Sequence, residues 1–259
     1  MRRGRINFSR VHACVVSLSL MTIAADALAE TDTQRFYGYA YDAKSGRYLY
    51  TEVYDVHVDA GRWLSGTTRY VAPDGTAIGE RKFSFAQDRY IPIYSLQLAA
   101  DDYREGITRV DAGSVEAYKA SGDKGRRTAT LRRVSPMAAD CGFQAFLIDH
   151  LDAIVAGKSV AFTLAVAGQL DNYKFRARKS GEVEFEGKRA LRIRIEPDSM
   201  LRFLVSPLEL TYDPETKRLL EYVGVANVHD PATHKAYTAR IAFYSKRPDD
   251  APKNLPPLP

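Results

Sequence analysis

Cysteine and tryptophan are scarce in this chain: Cys14, Cys141 and Trp63 are the only examples among 259 residues. Long apolar runs are missing too. The longest, Ala13 to Ala25, has thirteen residues interrupted by Ser17, Ser19 and Thr22, short of the roughly twenty that a helical membrane span needs. There is no G-x-S-x-G elbow, no H-E-x-x-H helix and no Cys pair at zinc-binding spacing. These absences set aside a helical membrane protein, a disulfide scaffold, a nucleophile-elbow hydrolase and a zinc protease. Neither an internal repeat nor a cofactor-binding signature is visible, so the sequence implies no metal, no cofactor and no catalytic residue, and it reads as non-enzymatic.

What is present begins with an export signal. Arg2, Arg3, Arg5 and Arg10 precede the apolar run without an intervening acid, and Ala27-Leu28-Ala29 supplies the small residues that a signal peptidase accepts. Residues 1–29 therefore read as a cleavable signal peptide for the general secretory route, cut after Ala29, with the mature protein expected in the periplasm. Cys14 lies at the start of the apolar run and not at its end, so no lipid anchor is expected. Removing Arg2, Arg3, Arg5, Arg10 and Asp26 reduces 37 basic and 32 acidic residues to 33 and 31, a net charge near +2. Bulk attraction to nucleic acid loses its support. Cys141 is then the only thiol, and an intrachain disulfide is excluded.

The mature chain alternates apolar and polar residues with period two, broken by Gly, Asp, Pro and Asn clusters, which is the signature of strands and turns. Tyr48, Tyr50, Tyr54, Val56 and Val58 are predicted to share one strand face, with Thr51, Asp55 and His57 opposite. Pro73-Asp74-Gly75 is a turn in which Pro presets φ and Gly supplies positive φ. Further strands are predicted at Trp63 to Tyr70, Ala77 to Phe85, Ile93 to Leu98, Gly106 to Asp111, Ser114 to Ala120 and Thr128 to Val134. The period changes once: Phe143, Phe146, Leu147, Leu151, Ile154 and Val155 follow helical spacing, with Asp140 as a candidate cap and Gly157 as the stop. Strands resume at Val160 to Val166, Tyr173 to Arg178, Glu182 to Phe185 and Ala190 to Ile195. A helical turn follows at Ser199 to Leu204, then strands at Leu208 to Tyr212, Leu219 to Val228 and Tyr237 to Tyr244.

Several of these strands are two-faced. Leu191, Ile193 and Ile195 oppose Arg192 and Arg194, and Tyr173, Phe175 and Ala177 oppose Lys174, Arg176 and Arg178. One sheet face is therefore wet, and one helix covers only part of the other. The predicted fold class is mainly β with one principal α-helix: a large curved antiparallel sheet, a half-barrel of about 10–12 strands wrapped round the helix. Residues 30–247 form its single domain, and 248–259, with five of the chain's twelve prolines, form an extended, mobile tail.

Single residues suggest two sites, each with a plainer explanation. Cys141 sits at the helix start, where partial positive charge activates a thiol, but a small buried side chain accounts for it as well. His229, Asp230 and His234 crowd one turn, where solvated loop histidines are the plainer reading. Basic residues from Lys174 to Arg194 alternate with Glu182, Glu184 and Glu186, so cross-strand ion pairing explains them without nucleic acid.

Four stretches together resemble an uncharacterised family of bacterial periplasmic proteins. They are Gly38-Tyr39-Ala40-Tyr41-Asp42 with Gly46 to Glu52, Tyr70 to Glu80, Asp140-Cys141-Gly142-Phe143-Gln144-Ala145-Phe146, and Arg202 to Tyr222. Cys141 departs from the acid expected in that family's turn. The family is similar in predicted architecture to lipoprotein-localisation factors, in which a half-barrel encloses a helical lid and an acyl-binding cavity. The resemblance implies a non-enzymatic periplasmic binder of an apolar envelope ligand: an acyl chain, a lipid or a lipoprotein, with peripheral membrane contact. The 27 Tyr and Phe residues suit an amphipathic pocket lining. Candidate lining residues are Tyr48, Tyr50, Tyr54, Phe143, Phe146, Leu147, Leu151, Tyr173 and Phe175. The alternative is a structural or interaction module of the envelope with a filled core and no small-molecule ligand.

Overall fold

Eight strands form a first antiparallel meander in which each pairs with the next: β1 (Asp32–Asp42), β2 (Tyr48–Asp59), β3 (Arg62–Val71), β4 (Ala77–Ser84), β5 (Ile93–Leu98), β6 (Tyr103–Val110), β7 (Ser114–Ala120) and β8 (Arg126–Arg132). β9 (Met137–Ala139) and β10 (Val160–Val166) are parallel, with the helix α1 (Gly142–Val155) as their crossover. A second meander then runs through β11 (Asp171–Phe185), β12 (Lys188–Pro197), β13 (Leu208–Tyr212), β14 (Leu219–His229) and β15 (Ala236–Ala242), which pairs with β1. The computed structural model describes residues 32–100, 102–198 and 207–257. The predicted signal peptide and the helical turn expected at Ser199 to Leu204 lie outside them.

The result is one fifteen-stranded sheet with β8 at one edge and β9 at the other. Arg132 ends β8 and Met137 begins β9, so the two edges are tethered by five residue steps, a reach of at most about 18 Å. A sheet of this width satisfies that tether only by curling almost closed. Two side chains bridge the seam: Asn172 Nδ2 donates to the Arg132 carbonyl at 2.8 Å, and Lys119 Nζ donates to the Gly168 carbonyl at 2.6 Å. The mainly β class, the curved antiparallel sheet and the principal helix are as the sequence predicts, but the strands outnumber the expectation. Two were not predicted, β1, whose Tyr-rich sequence alternates weakly, and the three-residue β9, while the two strands expected at Tyr173 to Arg178 and Glu182 to Phe185 form the single strand β11.

The helix forms where predicted and ends on Gly157 (φ 90°), with Lys158 N–H bonded to the Ala153 carbonyl and Gly157 N–H to the Ile154 carbonyl, each at 3.0 Å. Its start differs from expectation. Cys141 occupies the cap position without a side-chain cap bond, while the Asp140 carboxylate turns instead to Arg81. Phe146, Leu147, Leu151 and Ile154 bury against Phe162, Leu191, Ile193 and Leu210. Each such side chain contributes about 1.5–3 kcal/mol of transfer free energy. Gly142 is required here, because a Cβ on it would lie 2.0 Å from the Tyr90 carbonyl oxygen.

The opposite, outward face is wet on β11 and β12, where Arg189 pairs with Glu182, Arg178 with Glu196 and Arg194 with Glu209. On β1 and β2 it is covered. Tyr39, Tyr41 and Tyr48 bury beneath the Pro-rich end, where Ala251 is itself buried. Tyr37 donates to the Pro256 carbonyl, Arg35 to the Pro257 carbonyl at 2.9 Å and Tyr41 to Asp250 at 3.3 Å. The segment expected as a mobile tail is thus seated on a tyrosine platform as far as residue 257.

Candidate functional site

A half-open cavity of about 2180 Å³ lies against the concave face and continues round its rim to Tyr37 and Tyr39 on β1. Strand parity decides what reaches it. On β2 the inward positions are Tyr50, Glu52 and Tyr54; on β4 they include Arg81 and Phe83; on β6 they are Tyr103, Glu105 and Ile107. Tyr48 was predicted to share the face of Tyr50 and does not. The β1–β2 register slips between Ala40, which faces Tyr50, and Tyr41, which faces Tyr48, so the extra residue Leu49 turns Tyr48 outward to Tyr39 and Tyr41.

Of the lining predicted from sequence, Tyr54, Phe143, Tyr173 and Phe175 border the cavity. Tyr50 does not; it lies fully buried beside Tyr70 in the wall. Phe146, Leu147 and Leu151, also expected in the lining, do not reach it. They form the solid core between the helix and β10–β13, and the helix offers the cavity its neighbouring flank of Phe143, Gln144 and Ile148. A single helical stripe cannot both seal the core and line an opening.

The wall also holds ionisable groups that the sequence reading passed over. Glu52, 3% exposed, accepts a hydrogen bond from the Tyr54 hydroxyl. Burial pushes its carboxyl above the ordinary glutamate range, against the opposing pull of Tyr54 and the Arg81 charge. Arg81, 5% exposed, directs Nη1 to both Asp140 carboxylate oxygens at 3.1 and 3.2 Å and Nη2 to Thr68 Oγ1 at 3.0 Å. Burial works against that guanidinium, but Asp140 and neighbouring tyrosines hold it firmly charged. Its Nε has no hydrogen-bond partner. Glu105 takes the Tyr94 hydroxyl at 2.9 Å and the Tyr103 hydroxyl on its other oxygen, and burial raises its carboxyl too. The detectable signal was parity. Each of Glu52, Arg81 and Glu105 falls at an inward position of an otherwise apolar strand face.

Cys141 lies at the cavity wall with its thiol pushed well above the ordinary cysteine value, by burial first and by Asp140 second. Those two effects outweigh Arg81 and any benefit from the helix start. His150 lies on the helix with Nδ1 2.8 Å from the Phe146 carbonyl oxygen, and Asp149 pairs with Arg89 at 2.5 Å. Among the described residues no three His, Cys, Asp or Glu side chains gather as a metal site.

These features define a barrel-like, open antiparallel β protein with an aromatic interior and buried polar stations in its wall. No family model matches the chain, and the search of curated proteins finds no match. Among solved structures it is similar to the crystal structure of a beta-barrel-like protein of domain of unknown function DUF1849 from Brucella abortus. That similarity has 11% identity and a TM-score of 0.47, over 83% of this chain and 98% of that one.

Proposed function

We propose that the protein is an exported, periplasmic, non-enzymatic binding protein that holds an apolar envelope ligand, either an acyl chain, a lipid or the acyl part of a lipoprotein, against the concave face of its sheet. The observation that carries this reading is the cavity of about 2180 Å³ beside Phe36, Trp63, Leu96, Phe143 and Phe175. Small-molecule sites commonly occupy about 300–1,000 Å³, so a volume of this size suits a long or branched apolar body. An unfilled interior also weighs against the alternative of a structural module with a solid core. The address rests on the predicted signal peptide, and the non-enzymatic reading on the Cys141 thiol, which burial and the neighbouring Asp140 keep protonated.

The test is stoichiometric uptake of a fluorescent acyl probe by the mature protein. One-to-one binding that weakens at least tenfold in Leu164→Trp, which narrows the cavity from β10, supports the proposal. Equal uptake by both proteins, or none by either, overturns it.

A further inference from the structure

The cavity wall is short of positive charge at one place, and that place is ringed by aromatic side chains. Glu52 is buried, and among the described residues the cation whose charge reaches it is Arg81, already held by Asp140 and Thr68. A buried carboxylate without a cation of its own is an unfavourable element that a ligand can complete.

Phe36 stacks on Tyr54 at 4.5 Å between ring centroids, Trp63 lies 5.8 Å from Phe36 and 6.2 Å from Tyr54, and Phe243 lies 6.1 and 6.0 Å from the same two rings. All four rings and Glu52 border the cavity. The carboxylate joins this group directly, because Tyr54 donates to it. It also flanks Gly38 together with Phe243: a Cβ there would stand 3.3 Å from Glu52 Oε2 and 3.1 Å from the Phe243 ring. Aromatic faces attract cations, and most strongly where water is excluded and a carboxylate supplies the counter-charge. The buried Arg81 guanidinium offers an anion little, since Asp140 neutralises it; Arg35 and Arg89, which also border the cavity, are paired with Asp55 and Asp149.

We infer that Glu52, Phe36, Tyr54, Trp63 and Phe243 form a subsite for the ammonium group of an amphiphile whose apolar body fills the rest of the cavity. This inference rests on the binding function proposed above and assigns the ligand's polar end.

The experiment is calorimetry on the mature protein with three twelve-carbon amphiphiles below their micellar concentrations, in about 0.15 M salt to screen the arginines that also border the cavity, such as Arg62, Arg218 and Arg247. They are dodecyltrimethylammonium, dodecyl sulfate and the uncharged dodecyl maltoside. The ammonium compound is expected to bind at least about tenfold more tightly than the sulfate, with Trp63 emission changing in step. In Glu52→Gln that preference should fall to within about threefold, read as the ratio of the ammonium and sulfate affinities. Phe243→Leu, which leaves the carboxylate in place, should weaken the ammonium compound alone and provides a second reading if the Glu52 variant folds poorly. Binding of all three without an ammonium preference, or a preference that survives both variants, overturns the subsite and leaves the cavity reading standing. Binding of none overturns both.

Discussion

Arg81 and Asp140, 59 residues apart, meet at 3.1 Å with side chains only 6% and 7% exposed, tying the middle of β4 to the residue pair that opens the helix. Removing one member of a buried pair strands the other charge, so Arg81→Met or Asp140→Asn alone should destabilise by about 3–5 kcal/mol. The double variant should lose less than the sum of the two. Denaturant midpoints for the four proteins measure this, and strict additivity would show that the pair is not coupled. Asn is the proper replacement because Asp140 has φ 43°, a left-handed conformation that Asn tolerates.

Glu52 predicts a pH dependence. Its carboxyl is raised by burial, so the stability associated with it is fully present below the ordinary glutamate pKa and is lost as pH climbs through the raised value. Glu52→Gln cannot ionise. Its melting temperature relative to the parent should therefore move in the variant's favour between about pH 4 and about pH 8. A difference that is constant or moves the other way would contradict the assignment. Glu105, raised in the same direction, keeps part of the slope in both proteins.

Close backbone approach makes a sharper prediction at two glycines. Gly142→Ala places a methyl group 2.0 Å from the Tyr90 carbonyl and should cost about 2–4 kcal/mol, whereas Gly113→Ala meets nothing within 4 Å and should change stability by less than about 0.5 kcal/mol. Equilibrium unfolding compares them, and similar values would argue that the helix start is not clamped against residue 90.

The Cys141 thiol should be inert. Burial and Asp140 keep it protonated well above the ordinary cysteine pKa, so iodoacetamide at neutral pH should label it at least tenfold more slowly in native protein than after denaturation. Rapid native labelling would restore the activated-thiol reading that the helix start first suggests.

Most of the sheet is legible in the sequence because period-two alternation is a local signal. Ile93–Leu98, Ser114–Ala120, Val160–Val166 and Leu208–Tyr212 are read residue for residue. What escapes is non-local. The slip opposite Leu49 reverses the face of Tyr48, and nothing in β2 alone marks it. The seat of residues 250–257 depends on tyrosines more than 200 positions away. Glu52, Arg81 and Glu105 were visible as charges on apolar faces, but their gathering round one space needs the curl of the whole sheet. Tyr54, Phe143, Tyr173 and Phe175 reach the cavity, while Phe146, Leu147 and Leu151 seal the helix.

The most direct test of a lipid-holding interior is native mass spectrometry of the mature protein taken from an envelope fraction without detergent. The expected result is a population heavier than the bare chain by a discrete amphiphile, released on denaturation and absent from a Leu164→Trp variant. A single bare-chain mass in both proteins, with no uptake of added amphiphile, would contradict it.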